Sequence, residues 1–316
     1  MFDTSRKRNY IHFLLFFVFY LPLFAQNQEI VLSRFEPGEI KFAGFTLNSD
    51  KSVSIKAVGA GADKVVRRTK NNVVDPQNQF AYAWIIDART RELKWRMTPQ
   101  NTESDWWGAK YNRTFNGTVS LKKGEYEIYY AAFHPVFLAT EDGYFSLKKI
   151  WGKVFGDEDW WVENSAEWKV TLSNVDEVFE QSAVVKYQRA VKKSAIVDLT
   201  DIRDSQELKM GFTLKKPALL QIYALGEGFE SEMYDFVYII DANTRKRIWT
   251  MDERKSQYAG GALKNRMIRQ EIEFDAGNYL VYYQSDDSHS SGNWNANPPY
   301  DPNFWGVTVT GVGGRV

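Results

Sequence analysis

The chain has 316 residues, 44% of them hydrophobic and 25% charged, the make-up of a folded soluble protein at a length that favours two domains over one. Forty basic side chains balance forty acidic ones, which removes any electrostatic case for nucleic acid or an anionic membrane surface as partner. Cysteine is absent, which excludes disulfides, thiolate metal sites, a cysteine nucleophile and a lipid-modified N-terminal cysteine.

Arg6, Lys7 and Arg8 precede an apolar run from Ile11 to Ala25, and Ala25 is a small residue ahead of the polar Gln26-Asn27-Gln28. This is the order of a secretory signal, so residues 1–25 are expected to be cut away. A retained anchor is the rival reading. The run is short for a span, which wants ~20 apolar residues, and Pro22 sits near its end. After cleavage no membrane span is expected, and the mature chain reads as secreted, periplasmic or cell-surface. A secreted protein without cysteine points to a bacterial source.

The mature chain reads as strands and turns, and its aromatic content of 16% favours strands. Gly44-Phe45-Thr46-Leu47 leads into Ser52–Val58, which alternates polar and apolar residues and ends at Gly59. That period of two marks a half-buried strand. Residues 61–79, rich in Lys, Arg and Asn, read as an exposed loop. Tyr82 to Met97 reads as a hairpin: Trp84-Ile85-Ile86 as a buried strand, Asp87-Ala88-Arg89-Thr90 as the turn, and Trp95 and Met97 returning on one face. An Asp at the start of such a turn accepts hydrogen bonds from backbone N–H groups ahead of it. Gly124 at a tight turn feeds a strand with Tyr126, Ile128 and Tyr130 on one side. An excursion from Ala131 to Glu167 carries Trp151, Trp160 and Trp161, and Trp168–Leu172 closes the unit.

The same order then returns. Gly211–Leu214 and Ala218–Leu225, ending at Gly226, echo the opening. Phe236–Met251 matches Tyr82–Met97 at eight of sixteen positions without a gap. Phe274–Tyr283 and Trp305–Val309 echo the last two strands. The chain is an internal duplication. Between the copies, residues 176–194 place Val178, Phe179, Val184, Val185 and Val191 among charges, and a short helix is favoured there over a strand. The fold expected is all-β: two tandem antiparallel β-sandwich, jelly-roll-like domains, 28–175 and 195–312, with a linker at 176–194.

The Gly-Phe-Thr-Leu start, the alternating strand, the strand ending in Asp, and the Gly-x-Tyr before an aromatic strand together resemble the bacterial pre-peptidase C-terminal domains. The resemblance covers roughly residues 35–174 and 200–310. It implies small jelly-roll sandwiches in tandem and an extracellular accessory or binding role. The family usually accompanies a catalytic domain, and this chain leaves no room for one.

The most unusual run is Ser285 to Asp301, which is long and polar, and long loops on rigid sandwiches often carry function. Three readings compete. It is a loop that satisfies its own backbone. It is a ligand site, with Trp294, Tyr300 and Trp305 offering apolar faces and Asn293 and Asn295 hydrogen bonds. Or it is a metal site, with Asp286, Asp287 and Asp301 as hard oxygen ligands for Ca²⁺ and His289 better suited to a transition metal. Trp106 and Trp107, after the first hairpin, are a further aromatic pair for stacking on sugars or partner side chains. Catalysis has little to build on. There are three histidines, no Gly-x-Ser-x-Gly elbow, no phosphate or dinucleotide fingerprint and no distinguishable carboxylate pair. The function expected is a non-enzymatic binding or adhesion module whose loops contact a glycan or an extracellular protein. The alternatives are a structural component of an envelope or secretion complex and, third, a carboxylate-based glycan-active enzyme.

Overall fold

The computed structural model describes residues 28–61, 79–104, 111–133 and 158–312. The signal segment, most of the 61–79 loop, Trp106, Trp107 and Trp151 lie outside the described residues. The first half carries β1 (Gln28–Ser33), β2 (Glu39–Leu47), β3 (Lys51–Gly61), β4 (Gln79–Asp87), β5 (Leu93–Arg96), β6 (Glu103–Ser104), β7 (Asn112–Leu121), β8 (Gly124–Ala132) and β9 (Lys169–Val175). β10 (Glu177–Phe179) opens the connection. The second half carries β11 (Val197–Thr200), β12 (Glu207–Leu214), β13 (Ala218–Phe229), β14 (Glu232–Met233), β15 (Phe236–Asp241), β16 (Arg247–Thr250), β17 (Gln257–Tyr258), β18 (Asn265–Phe274), β19 (Gly277–Gln284) and β20 (Gly306–Gly311).

The fold is all-β and antiparallel. In the second half the strands form two sheets: β11-β20-β13-β18-β17 with β14 on the end of β13, and β12-β19-β15-β16. The first half repeats this order strand for strand, β1-β9-β3-β7-β6 and β2-β8-β4-β5. One difference lies at a corner of the first half. The end of β3 pairs with the start of β4 at Ala60↔Ala81, which joins the two layers of the first half at a corner into a single ten-stranded sheet. At that corner Gly59, and its counterpart Gly226, pass against the backbone carbonyls of Ala81 and Asp235, where a Cβ would collide. Glycine is fixed at both places by close backbone approach.

The hairpins form as the turn chemistry predicts. Asp87 Oδ1 accepts from the backbone N–H of Arg89 and Thr90 at 3.0 and 2.7 Å. Asp241 Oδ1 does the same for Asn243 and Thr244 at 2.9 and 2.7 Å. The connection holds both elements considered for it. β10 pairs with β2 as an edge strand, and a helix follows at Gln181–Lys193. Val184 on that helix packs against Gly44, and Lys192 and Lys193 close its last turn, where the helix dipole favours cations. The excursion before Trp168 is not wholly irregular: it contains a helix at Glu158–Ser165. Trp161 there donates to the Phe35 carbonyl at 3.0 Å and packs edge-on against Trp168.

The halves differ most in burial. β15 and β19 alternate between buried and half-exposed, as a strand with one covered face should. Their counterparts β4 and β8 are buried on both faces over nearly their whole length. The first half's outer face is covered by the helix and by the 297–304 segment of the second half.

Candidate functional site at the junction of the halves

The Ser285–Asp301 run ends in this covering segment, and most of its side chains turn inward. Trp305 is 0% and Trp294 6% exposed. The two indoles and the His289 ring pack edge-to-face, with centroids 5.0–5.6 Å apart. Neither indole stands exposed as a stacking platform: a long loop without regular structure holds its shape by burying such anchors. Asn295 is buried too, its Oδ1 accepting from Lys264 Nζ at 2.8 Å. Tyr300 is held at the junction. Its carbonyl accepts from the Trp84 indole N–H at 2.8 Å and its hydroxyl from Arg96 at 2.6 Å. Asn293 is exposed and donates to Asp204.

The four residues considered as metal ligands do not form one site. Asp301 is taken by Arg91, and Asp287 is exposed. His289 is buried, with Nδ1 on Asn295 and Nε2 on Asn265, so neither nitrogen is open to a metal. Burial, with Lys264 nearby, holds its pKa well below the usual histidine range. Asp286 instead lies beside Glu227 and Asp235.

What binds the halves together is a buried ionic network that the sequence does not announce. Arg91 grips Glu127 with two hydrogen bonds, at 2.7 and 2.9 Å. It grips Asp301 of the other half with two more, at 3.0 and 2.6 Å. Such bidentate pairs are the strongest geometry available to arginine. Two carboxylates against one guanidinium leave an excess negative charge. Donors cover it: Tyr129 and Gln188 to Glu127 at 2.6 and 2.9 Å, and Tyr223 to Asp301 at 2.9 Å. Burial alone would lower the Arg91 pKa, but Asp301 and Glu127 hold it well above its ordinary value. The guanidinium also lies 4.4 Å from the Phe304 ring centre. Asn297 adds a further tie, donating to the Gln79 carbonyl at 2.7 Å. Sequence reading gives Arg91 no role beyond being one of the eight positions that the two hairpins share. Its repeat partner Arg245 is identical and exposed, so identity carried no signal.

Beside the network lies a cleft of about 470 Å³. Its first-half wall is built by Ile40, Phe42 and Phe133, its second-half wall by Ser291 to Trp294 and Asn303, and Gln181 stands at the helix start. None of its lining residues among those described is charged. Clefts of this size at the meeting of two units are common ligand sites.

The molecule is therefore an all-β protein whose halves repeat one strand order and meet through a buried ionic network beside an uncharged cleft. No family model matches the chain, and no curated protein matches it. Among solved structures it is similar to the CUB1-EGF-CUB2 domain of human MASP-1/3, at 8% identity over 90% of this chain and 99% of that one, with a TM-score of 0.24. It is also similar to PBCV-1 VP54 as fitted into a reconstruction of the virophage Sputnik, at 8% identity over 98% of this chain and 95% of that one, TM-score 0.24. At such TM-scores the likeness identifies neither a family nor an activity. No helix among the described residues is long and apolar enough to cross a membrane.

Proposed function

We propose that this is an extracellular, non-enzymatic binding module whose ligand enters the cleft between the halves. The cleft's chemistry carries the reading. Amides and a hydroxyl from Gln181, Ser291, Asn293 and Asn303 stand among Ile40, Phe42 and Trp294, with no titratable group among them. Such a lining offers hydrogen bonds and apolar contact to a neutral ligand, but nothing to move a proton or attack a carbonyl. A neutral glycan is the ligand class that suits it. The signal-like residues 1–25 and the resemblance to pre-peptidase C-terminal domains agree with an accessory role outside the cell.

The test is a glycan array probed with the full chain, followed by calorimetric titration of any hit into Ser291→Trp. The Ser291 tie to the fold is through its backbone N–H, which donates to the Ile202 carbonyl, so the bulky side chain fills the cleft without removing a core contact. The expected result is binding that vanishes in the variant while its melting temperature stays unchanged. Trp294→Ala is the wrong probe, because removing a buried indole costs about 3–5 kcal/mol of stability on its own. A silent array removes the glycan reading.

A second reading, a structural component held by protein contacts, is favoured by the outer face of β15 and β19. The stacked pair Tyr238–Tyr282 there, 5.0 Å between ring centres, matches the buried Trp84–Tyr129 pair of the first half but stays half-exposed. Co-purification of envelope proteins lost in Tyr238→Ser, with a silent array, selects this reading.

A further inference from the structure

The two halves differ at three positions that converge in space. The register places Ala60 opposite Asn112 in the first half and Glu227 opposite Asn265 in the second. The same alignment sets Ala81 against Asp235 and Phe133 against Asp286. The first-half residues are apolar and buried. The second-half residues are three carboxylates whose oxygens lie within 4.8 Å of one another. The fold does not require acids there, since one copy is built without them, and the second copy carries all three together.

Their partners leave the group unfinished. Glu227 is 3% and Asp235 0% exposed. Lys264 Nζ meets Glu227 Oε1 at 2.9 Å, and the Asp286 backbone N–H donates to Asp235 Oδ1 at 2.8 Å. Glu227 Oε2 is buried without a hydrogen bond, and Asp235 Oδ2, also buried, faces only the Trp305 indole N–H without good hydrogen-bond geometry. Asp204 adds a fourth carboxylate nearby: its Oδ1 is buried and unpaired, and its charge repels both Glu227 and Asp286. Buried carboxylate oxygens left unpaired are costly. Once ionised, three converging carboxylates outnumber the one ammonium by two charges, the complement of a divalent cation.

We infer that Glu227, Asp235 and Asp286 form a site for a hard divalent cation of the calcium type. Calcium sits about 2.4 Å from each oxygen, so one ion can bridge two atoms up to about 4.8 Å apart, and one oxygen of each carboxylate lies within 4.8 Å of the others. The donors are all oxygens, and His289 has both ring nitrogens engaged, which favours calcium over a transition metal. Lys264 keeps Glu227 Oε1, and Oε2 turns to the ion. The ion would tie the β13–β15 connection to the base of the Ser285–Asp301 loop, one wall of the junction cleft. The inference stands independently of what, if anything, the cleft binds.

The test uses the full chain, stripped with chelator and melted at pH 8 with and without ~10 mM calcium, the range in which weak extracellular sites fill. The expected result is a rise in melting temperature of about 5 °C, absent in the double variant Glu227→Ala, Asp235→Ala. That variant reproduces the first half's own residues, so it is expected to fold. Terbium luminescence gives a direct readout: the Trp305 indole faces Asp235 and should sensitise a bound terbium ion, with calcium competing for it. A melting temperature unmoved by calcium together with no sensitised emission overturns the inference and leaves a cluster neutralised by protons. Loss of glycan binding without loss of the calcium shift would count against the cleft alone.

Discussion

At the scale of single residues, the duplication sets up its own controls. Arg91 and Arg245 occupy the same place in the repeat and share a left-handed backbone, with φ of 56° and 61°. Arg91→Ala leaves Glu127 and Asp301 buried without their counter-ion, and breaking such a pair costs about 3–5 kcal/mol. Arg245→Ala removes an exposed side chain and is expected to stay within about 0.5 kcal/mol of wild type. Urea unfolding followed by tryptophan fluorescence measures both. Equal effects would mean that the buried network contributes nothing. The carboxylate cluster makes a pH prediction. Burial pushes Glu227 up to about 7 and Asp235 up to about 8, from ordinary values of 4.5 and 3.8. A carboxyl whose folded pKa is raised binds more protons folded than unfolded, so its contribution falls as pH climbs through that window. His289, held neutral by burial, acts in the opposite direction, so the clean comparison is between variants. In chelator, Asp235→Asn should match wild type only below about pH 4, where the unfolded carboxyl is protonated too, and exceed it by about 3 kcal/mol at pH 9, less than the full shift because neighbouring carboxylates titrate together. A gap that does not widen with pH shows that Asp235 is ionised throughout.

At the scale of elements, the difference lies in what covers each sheet. In the first half β10 extends the sheet beyond β2, and the Gln181–Lys193 helix lies on its face. A Cβ on Gly44 would stand 2.9 Å from Val184 Cγ2 and 3.3 Å from Phe179 Cβ. On Gly211, the same residue of the second copy, a Cβ meets the end of the Leu280 side chain at 3.2 Å and the Tyr279 carbonyl oxygen at 3.5 Å. Gly44→Ala is therefore expected to push the helix off the sheet at a cost of about 1–3 kcal/mol. Gly211→Ala is expected to be near neutral, because a flexible side chain can give way. Denaturation midpoints decide it, and hydrogen exchange in the helix should quicken only for the first. Strand periodicity was legible here, since β3 buries its alternate residues as Ser52–Val58 foretold. The helix at Glu158–Ser165 was not legible. Its hydrophobic residues follow no clear helical stripe, and the bond from Trp161 to the Phe35 carbonyl forms only when distant segments meet.

At the scale of the whole molecule, the halves do not hang on a free linker. Arg91 to Asp301, Trp84 to Tyr300 and Gln79 to Asn297 cross between them, and Asn303 donates to Gln188 of the connecting helix at 3.0 Å. The expected calorimetric behaviour is one transition whose calorimetric and van't Hoff enthalpies agree. The double variant Arg91→Ala, Asn297→Ala should separate it into two, one for each half. Two transitions in the wild type would show that the junction is too weak to couple the halves.

The amino-acid sequence by itself determined the strands, the Asp-led hairpin turns and the doubling of one unit, because these rest on spacing and turn chemistry within a few residues of chain. It also picked out the Ser285–Asp301 run as unlike an ordinary turn. It could not show that Trp294 and Trp305 face inward or that Asp301 belongs to Arg91. Glu227 and Asp235 are close in the chain and pair backbone to backbone, but Asp286 follows Asp235 by 51 residues and joins them only when β19 is set beside β15. Burial and charge pairing depend on which distant surfaces come together. Two faces with the same local pattern, β4–β8 and β15–β19, ended one covered and one open because only the first received the other half of the molecule.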